Sequence, residues 1–435
     1  MMKTLWKQRV PLNPEFERLN NCLAEDWFLL PFELELQRAH AVALHRAAVL
    51  TADELTDLHS SLERIAEQYL AGPCPDDPAE DLHTWIEQRL TEGAGEAGRK
   101  IHTARSRNDQ VATLLKMYLI DAGRQFEERL RKTITTCCAR AEDWADLVFP
   151  LQTHCQWAAP GTVGFWVLRF ATALERTRRL LEAHLTLWRG ECPLGTGAVA
   201  GSSIPIDRGL QASELGFVGP TLNALDSTTS RDECLQWLSL AGIVALHLQS
   251  LATDVIAFSQ TPLSWTIYPP AFGTGSSMMP NKMNPDAMEL LRGQACEVQA
   301  AHVQAILLLK GLPSGYNRDL QCIKPILHGT RVRLFTLLDL TAEFLTALEF
   351  DAARLHQSLA LGAIGATLDM EARIRGGQSL RSAHHAVADG LAEAAASAPA
   401  DDVAALVHRY ATTGSASPAE TRRVAGQLLA SLGKS

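Results

Sequence analysis

The chain has 435 residues, a length that predicts two or three domains rather than one. It is 46% hydrophobic and 20% charged, as an average globular protein is, and 40 Lys and Arg against 49 Asp and Glu leave a formal charge of −9. That balance speaks against a broad nucleic-acid or anionic-membrane surface, either of which needs excess cations, but leaves room for a small cationic cluster around an anionic metabolite.

The first residues, Met1 to Arg9, carry charge with no apolar stretch behind them, so no secretory leader is expected. No uninterrupted apolar run approaches the ~18–20 residues of a membrane span, so no membrane partner is expected and a cytoplasmic location is. Nine cysteines run from Cys22 to Cys322 with no C-x-x-C pair, and the fourteen histidines include no H-E-x-x-H. Reduced thiols are expected, with no metal and no cofactor.

Along the chain, residues 72–80 and 93–98 read as breaks around a shorter helix that begins near Asp81. Long helical patterns without internal proline follow at 111–147 and 163–189. A glycine- and serine-rich loop occupies 192–207. Residues 231–259 hold the clearest pattern: Cys234, Trp237, Leu238, Ala241, Val244, Ala245, Leu248, Leu251, Ala252, Val255 and Phe258 recur at three- and four-residue steps. A second polar loop, 268–285, precedes another long helix over 286–312. From about residue 356 the chain is alanine-rich with shorter helical patterns. Strand patterns are scarce, so the predicted fold is all-α, a bundle of long helices around a shared core.

Generic nucleotide motifs fail on inspection. Gly433-Lys434-Ser435 has no glycine at the spacing of a phosphate loop, and Gly273-Thr274-Gly275 lacks a third glycine and a preceding strand. The loop 275–285, Gly-Ser-Ser-Met-Met-Pro-Asn-Lys-Met-Asn-Pro, is more informative. Lys282 can meet a carboxylate as a charge, Asn284 can donate to it, and Ser276 or Ser277 can exchange a proton.

This loop resembles the G-S-S-x-M-P-x-K-x-N-P signature of the fumarase/aspartase superfamily at every fixed position. Residues 80–92, 102–113, 193–208 and 311–321 (EDLHTWIEQRLTE, HTARSRNDQVAT, PLGTGAVAGSSIPIDR, GLPSGYNRDLQ) narrow the resemblance to the argininosuccinate lyase family, and Leu380-Arg381-Ser382-Ala383-His384 echoes a further motif. The resemblance covers nearly the whole chain. It implies a three-domain helical subunit, with boundaries expected at 1–106, 107–355 and 356–435 and a mobile catalytic loop at 270–285. It also implies a homotetramer whose active sites are each shared between three subunits.

The implied reaction removes an amine from an N-substituted aspartate and leaves fumarate. A base takes a proton beside a carboxylate, and an acid protonates the departing nitrogen. Carried over residue by residue, Ser276 matches the catalytic base, with Lys282 as the cation that helps its deprotonation. His154 matches the acid, beside Thr153, and Glu289 matches the carboxylate paired with that histidine. Ser106, Arg107 and Asn108 match the succinate site, and Asn284 a carboxylate contact. Arg231, Tyr316, Gln321, Lys324 and His83 match further substrate contacts.

The departures bear on specificity. The usual Trp-Gly-Gly-Arg-Phe start stands here as Trp6-Lys7-Gln8-Arg9-Val10, and Asn-x-Ser as Asn20-Asn21-Cys22. Acidic positions of the family are Ser230, Cys322-Ile323 and Pro325 in this chain. Argininosuccinate lyase activity, a sister lyase for another N-substituted aspartate, and a catalytically silent structural relative are therefore the three readings of the sequence. The chemical core favours the first two.

Overall fold

The computed structural model describes residues 11–393 and 399–433; the altered Trp6–Val10 start and the Lys434-Ser435 terminus lie outside them. The chain folds as two compact units. The first takes the described residues of Met1–Gln125, Leu181–Leu240 and Ala300–Val332, and the second those of Phe126–Leu180, Ala241–Gln299 and Arg333–Ser435. The all-α expectation holds: five helices of 24 residues or more dominate, Arg107–Asp143, Val163–Trp188, Asp232–Ser259, Asp286–Leu309 and Ile323–Ala347. Four of these fall where the apolar periodicity places them, to within four residues at every end.

In the first unit, shorter helices surround an aromatic centre. Trp85 is fully buried, and Trp27 and Tyr69 meet it edge-on at ring-centroid distances of 5.1 and 4.8 Å. The helix Ala52–Tyr69 starts at a capping box, in which Thr51 and Glu54 satisfy each other's backbone N–H groups. The helix Leu82–Ala94 starts where Asp81 accepts the Thr84 N–H at 2.7 Å and stops at Gly95, whose φ of 55° suits glycine best. The predicted break over 93–98 is thus a single residue, since Glu96–Lys100 is helical again.

The second unit contains the main departure from expectation. Val148–Thr153 and Gln156–Thr162 form an antiparallel hairpin where strand patterns are weak. Pro150 stands opposite Pro160 in it. Proline cannot donate to a ladder, but a two-stranded ribbon consists only of edges and tolerates it. The connecting residues His154 and Cys155 both take positive φ, 54° and 58°. That is the geometry of a two-residue type I′ turn, which sequence usually announces with Asn-Gly. Behind the hairpin, Phe149 packs edge-on against Phe258 and Trp265, at 5.8 and 5.7 Å, and Trp166 meets Phe258 at 5.3 Å.

The helix Asp232–Ser259 has a mean hydropathy of 1.5 over its most apolar window, long and apolar enough to cross a membrane by length and composition. No uninterrupted apolar run shows this, because Gln236, His247 and Gln249 punctuate the helix. Under half of that window, 44%, is buried within the chain, and Ile243 and Leu246 remain exposed.

Gly164 opens the Val163–Trp188 helix against the end of Arg107–Asp143. A Cβ there would stand 2.3 Å from the Ala141 carbonyl oxygen and 3.0 Å from the Ala145 backbone. Both obstacles are backbone and cannot yield cheaply. Gly164→Ala is expected to cost about 1–3 kcal/mol, measured as a lower urea midpoint by circular dichroism.

Candidate active site

The N-terminal turn of Arg107–Asp143 sets the register of the site in the first unit. Asp109 is fully buried, and its Oδ1 accepts the Ser106 N–H at 2.9 Å. Its Oδ2 accepts the N–H groups of Gly195 and Gly197 at 3.0 and 2.8 Å, drawing the 192–207 loop onto the helix start. Gly195 and Gly197 have φ of 83° and 63°, a region that side chains rarely occupy. Burial pushes the Asp109 carboxyl up to about 6, against the lowering effect of its backbone donors. Asn108 completes the junction by donating from Nδ2 to the Ala198 carbonyl at 3.0 Å.

Arg107 begins the same helix and faces a cavity of about 180 Å³. Its guanidinium lies 3.1 Å from Asp81 and 3.3 Å from Glu80, and it donates to Thr84 Oγ1 at 2.6 Å. Burial disfavours the charge, but Asp81 and Glu80 outweigh it and hold Arg107 protonated above its ordinary value. Glu80 also accepts from Asn20 Nδ2 at 3.0 Å and sits 3.5 Å from Arg318.

Lys324 reaches the cavity from Ile323–Ala347, and its Nζ donates to Asp26 Oδ1 at 2.6 Å. Both groups are almost wholly buried. Cys22 donates to the other oxygen of Asp26 at 3.4 Å. Burial, followed by Asp26, raises the Cys22 thiol far above its ordinary value, so it stays neutral. His83, Asn108, Tyr316 and Gln321 line the same cavity. Six of the sequence candidates therefore meet in one place: His83, Arg107, Asn108, Tyr316, Gln321 and Lys324.

Arg231 belongs to the first unit but not to that lining. It is buried, and its Nη1 donates to the Ser230 and Thr228 carbonyls at 2.6 and 3.4 Å. Its Nε and Nη2 find no partner among the described residues, and burial lowers its pKa. The simplest reading of an arginine in sequence, an exposed ion pair, does not describe it.

The remaining candidates, Thr153, His154, Ser276, Lys282, Asn284 and Glu289, stand on the second unit. Thr153 and His154 are at the exposed tip of the hairpin. Glu289 is exposed in the first turn of Asp286–Leu309. Neither the His154 nor the Glu289 side chain makes a hydrogen bond or ion pair among the described residues. Thr274–Gly275 pairs with Met283–Asn284 and closes the base of the serine loop, and Asp286 accepts the Thr274 N–H at 2.9 Å and hydroxyl at 2.5 Å. Inside this clasp, Ser276 Oγ accepts the N–H groups of Met279 and Met278 at 3.0 and 3.3 Å. Two amide donors on a hydroxyl oxygen favour its deprotonated form, as they do at an oxyanion hole.

A lyase family model matches residues 23–300. The chain is 36% identical over 387 residues to the argininosuccinate lyase of Koribacter versatilis, covering 88% of this chain and 82% of that one. It is 40% identical over 374 residues to the argininosuccinate lyase of Thermus thermophilus, covering 85% and 80%. This chain belongs to the argininosuccinate lyase family. Its fold also matches the crystal structure of EDDS lyase in complex with formate, with a TM-score of 0.79 over 97% of this chain and 90% of that one at 22% identity.

Within the family frame, the cavity wall and the ion pairs behind it add residues that sequence reading did not single out as site residues: Asp81 and Arg318 in the wall, Asp26 and Glu80 behind it. Arg318 lies inside the quoted GYNRDLQ segment, and Asp81 is two residues from His83. Asp26 has no such signal, because its partner Lys324 is 298 residues away. Removing one member of a buried ion pair strands the other. Asp26→Asn is therefore expected to cost about 3–5 kcal/mol, read as a fall in the urea midpoint.

Proposed function

We propose that this chain is a carbon–nitrogen lyase that eliminates arginine from argininosuccinate and releases fumarate. The observation that carries the reaction is its similarity, at 36–40% identity over most of its length, to argininosuccinate lyases. The geometry supports the roles. Ser276, with two amide donors on its oxygen and Lys282 three residues beyond the second of them in a clasped loop, is the base that removes the proton beside a succinyl carboxylate. Negative charge then moves into that carboxylate, where Asn284, Lys324 and the donors of the first-unit cavity receive it. His154 protonates the departing nitrogen, with Glu289 favouring the charged imidazole.

A homotetramer that shares its active sites between three subunits accounts for two features. His154 and Glu289 stand exposed and without a partner among the described residues, as groups do whose partners lie on another chain. Exposed apolar side chains also recur on the long helices: Ile243, Leu246 and Leu290 in the second unit, and Val303, Ile306 and Leu307 in the first. Runs of this kind mark association surfaces. In this reading 107–355 is the bundle domain, flanked by 1–106 and 356–435. The nine free thiols suit a reducing cytoplasm.

A sister lyase for another N-substituted aspartate is the second reading, favoured by Ser230, Cys322 and Pro325 at positions where the family carries acids. A guanidinium leaving group is cationic, so lost acids bear on it more than on fumarate. Ultraviolet detection of fumarate after adding argininosuccinate separates the two readings. Rapid release supports the first, and none from a folded tetramer, with activity on another amine adduct, supports the second.

Ser276→Ala is expected to lower turnover by at least about 10²-fold while leaving the oligomer intact by light scattering. Near wild-type turnover in that variant would sink the base assignment. Mixing Ser276→Ala with His154→Asn, after subunit exchange, should restore part of the activity; no recovery would argue against shared sites.

A further inference from the structure

Glu33 lies on the helix Leu30–Arg46 and is completely buried. A buried carboxylate is costly unless it is fully engaged, so its partners indicate its use. Its Oε1 accepts from Gln37 Nε2 at 2.6 Å and from Gln110 Nε2. Its Oε2 faces His83 Nδ1 at 3.2 Å. A carboxylate can only accept, so His83 Nδ1 is the donor of that contact.

The second ring nitrogen, Nε2, is buried without a partner among the described residues, and His83 forms part of the cavity wall. Leaving such a nitrogen without a partner is costly, a cost that a bound ligand removes. Several charged groups face the ring. Glu33 and Asp81 favour its protonated form, while burial and Lys324 oppose it; the net effect holds His83 above its ordinary value. Arg107 and Arg318 line the same cavity, but Arg107 is matched by Asp81 and Glu80, and Arg318 lies 3.5 Å from Glu80.

We propose that Glu33 is a positioning residue for substrate binding: it orients His83 through Nδ1 and keeps a proton on Nε2, which donates to a carboxylate of the dicarboxylate substrate. Glu33 itself touches no ligand. The inference rests on the reading of the site as one for a succinyl or fumaryl group.

The test is the pH dependence of substrate KM and of fumarate binding in Glu33→Gln, from pH 6 to pH 9. Glutamine keeps an acceptor for Nδ1 and removes the charge, and Gln110, whose Oε1 has no partner, can turn its amide to meet the new NH2. A charge-assisted hydrogen bond is worth about tenfold or more in affinity. At pH 8 KM and the fumarate dissociation constant should rise by about that factor, returning towards wild type near pH 6, with kcat changed far less. A folded Glu33→Gln whose KM profile superimposes on wild type overturns the proposal. Should that variant not fold by circular dichroism, His83→Gln decides: it keeps a donor but cannot titrate, so KM should be raised and nearly flat over the same range. Wild-type KM and a wild-type profile in His83→Gln would equally overturn it. Wild-type protein that binds fumarate calorimetrically with this pH pattern but does not turn over argininosuccinate would leave the Glu33 role standing and count against the assigned reaction.

Discussion

The first unit depends on placing a carboxylate behind each cation that faces its cavity. Asp26 stands behind Lys324, Asp81 and Glu80 behind Arg107, and Glu33 behind His83. Each ion taken out of water costs several kcal/mol, and only close geometry with further hydrogen bonds recovers that cost. The arrangement keeps the donors charged and fixed in direction while the wall carries almost no net charge. A dicarboxylate entering such a cavity meets oriented N–H groups that need little reorganisation, the condition under which electrostatic stabilisation of a developing aci-carboxylate is most effective. The neutral Cys22 thiol fits the same logic. A hydroxyl is the stronger donor, but the thiol still caps the second oxygen of Asp26 and leaves Lys324 the first.

The second unit follows a different rule. Its candidate groups are exposed or, for Ser276 and Asn284, half-buried, and their nearest support is backbone: the positive-φ turn formed by His154 and Cys155 and a two-residue ladder beneath Ser276. Few buried contacts hold these segments, so their local opening is cheap. The hydroxyl of Ser276 is nonetheless prepared in advance by the amides of Met278 and Met279. In the proposed reaction Ser276 would thus be activated locally, while the surroundings that exclude water have to come from surfaces outside the loop.

How far sequence reached follows from the range of each interaction. Four of the five long helices were legible because their stripes repeat every three or four residues, and Asp81 announces a helix start over a span of three; Ile323–Ala347 was not read from the sequence. The serine loop and the S-R-N segment were legible as motifs. The hairpin around His154 was not, since paired prolines and a His-Cys turn replace every local strand signal. Glu33 and Asp26 were not legible either. Their meaning lies in contacts 50 and 298 residues away, and in isolation each is an acid on an amphipathic helix.

Arg231 shows why counting lost acids does not decide the leaving group. Ser230 stands where the family carries an acid, and the buried guanidinium is held by the backbone carbonyls of Ser230 and Thr228, dipoles rather than a charge. Yet the surroundings are not stripped of carboxylates, because Asp226, Asp232 and Glu233 line the same small cavity as Ser230, and Glu233 is taken up by Lys116 at 2.5 Å. Asp232 keeps the second acid of the family's S-D-R-D pattern, so of its two acidic positions only the one at Ser230 is lost. In the proposed reaction a cationic leaving group would still meet carboxylates beside Ser230, so the loss of one acid does not by itself argue against argininosuccinate.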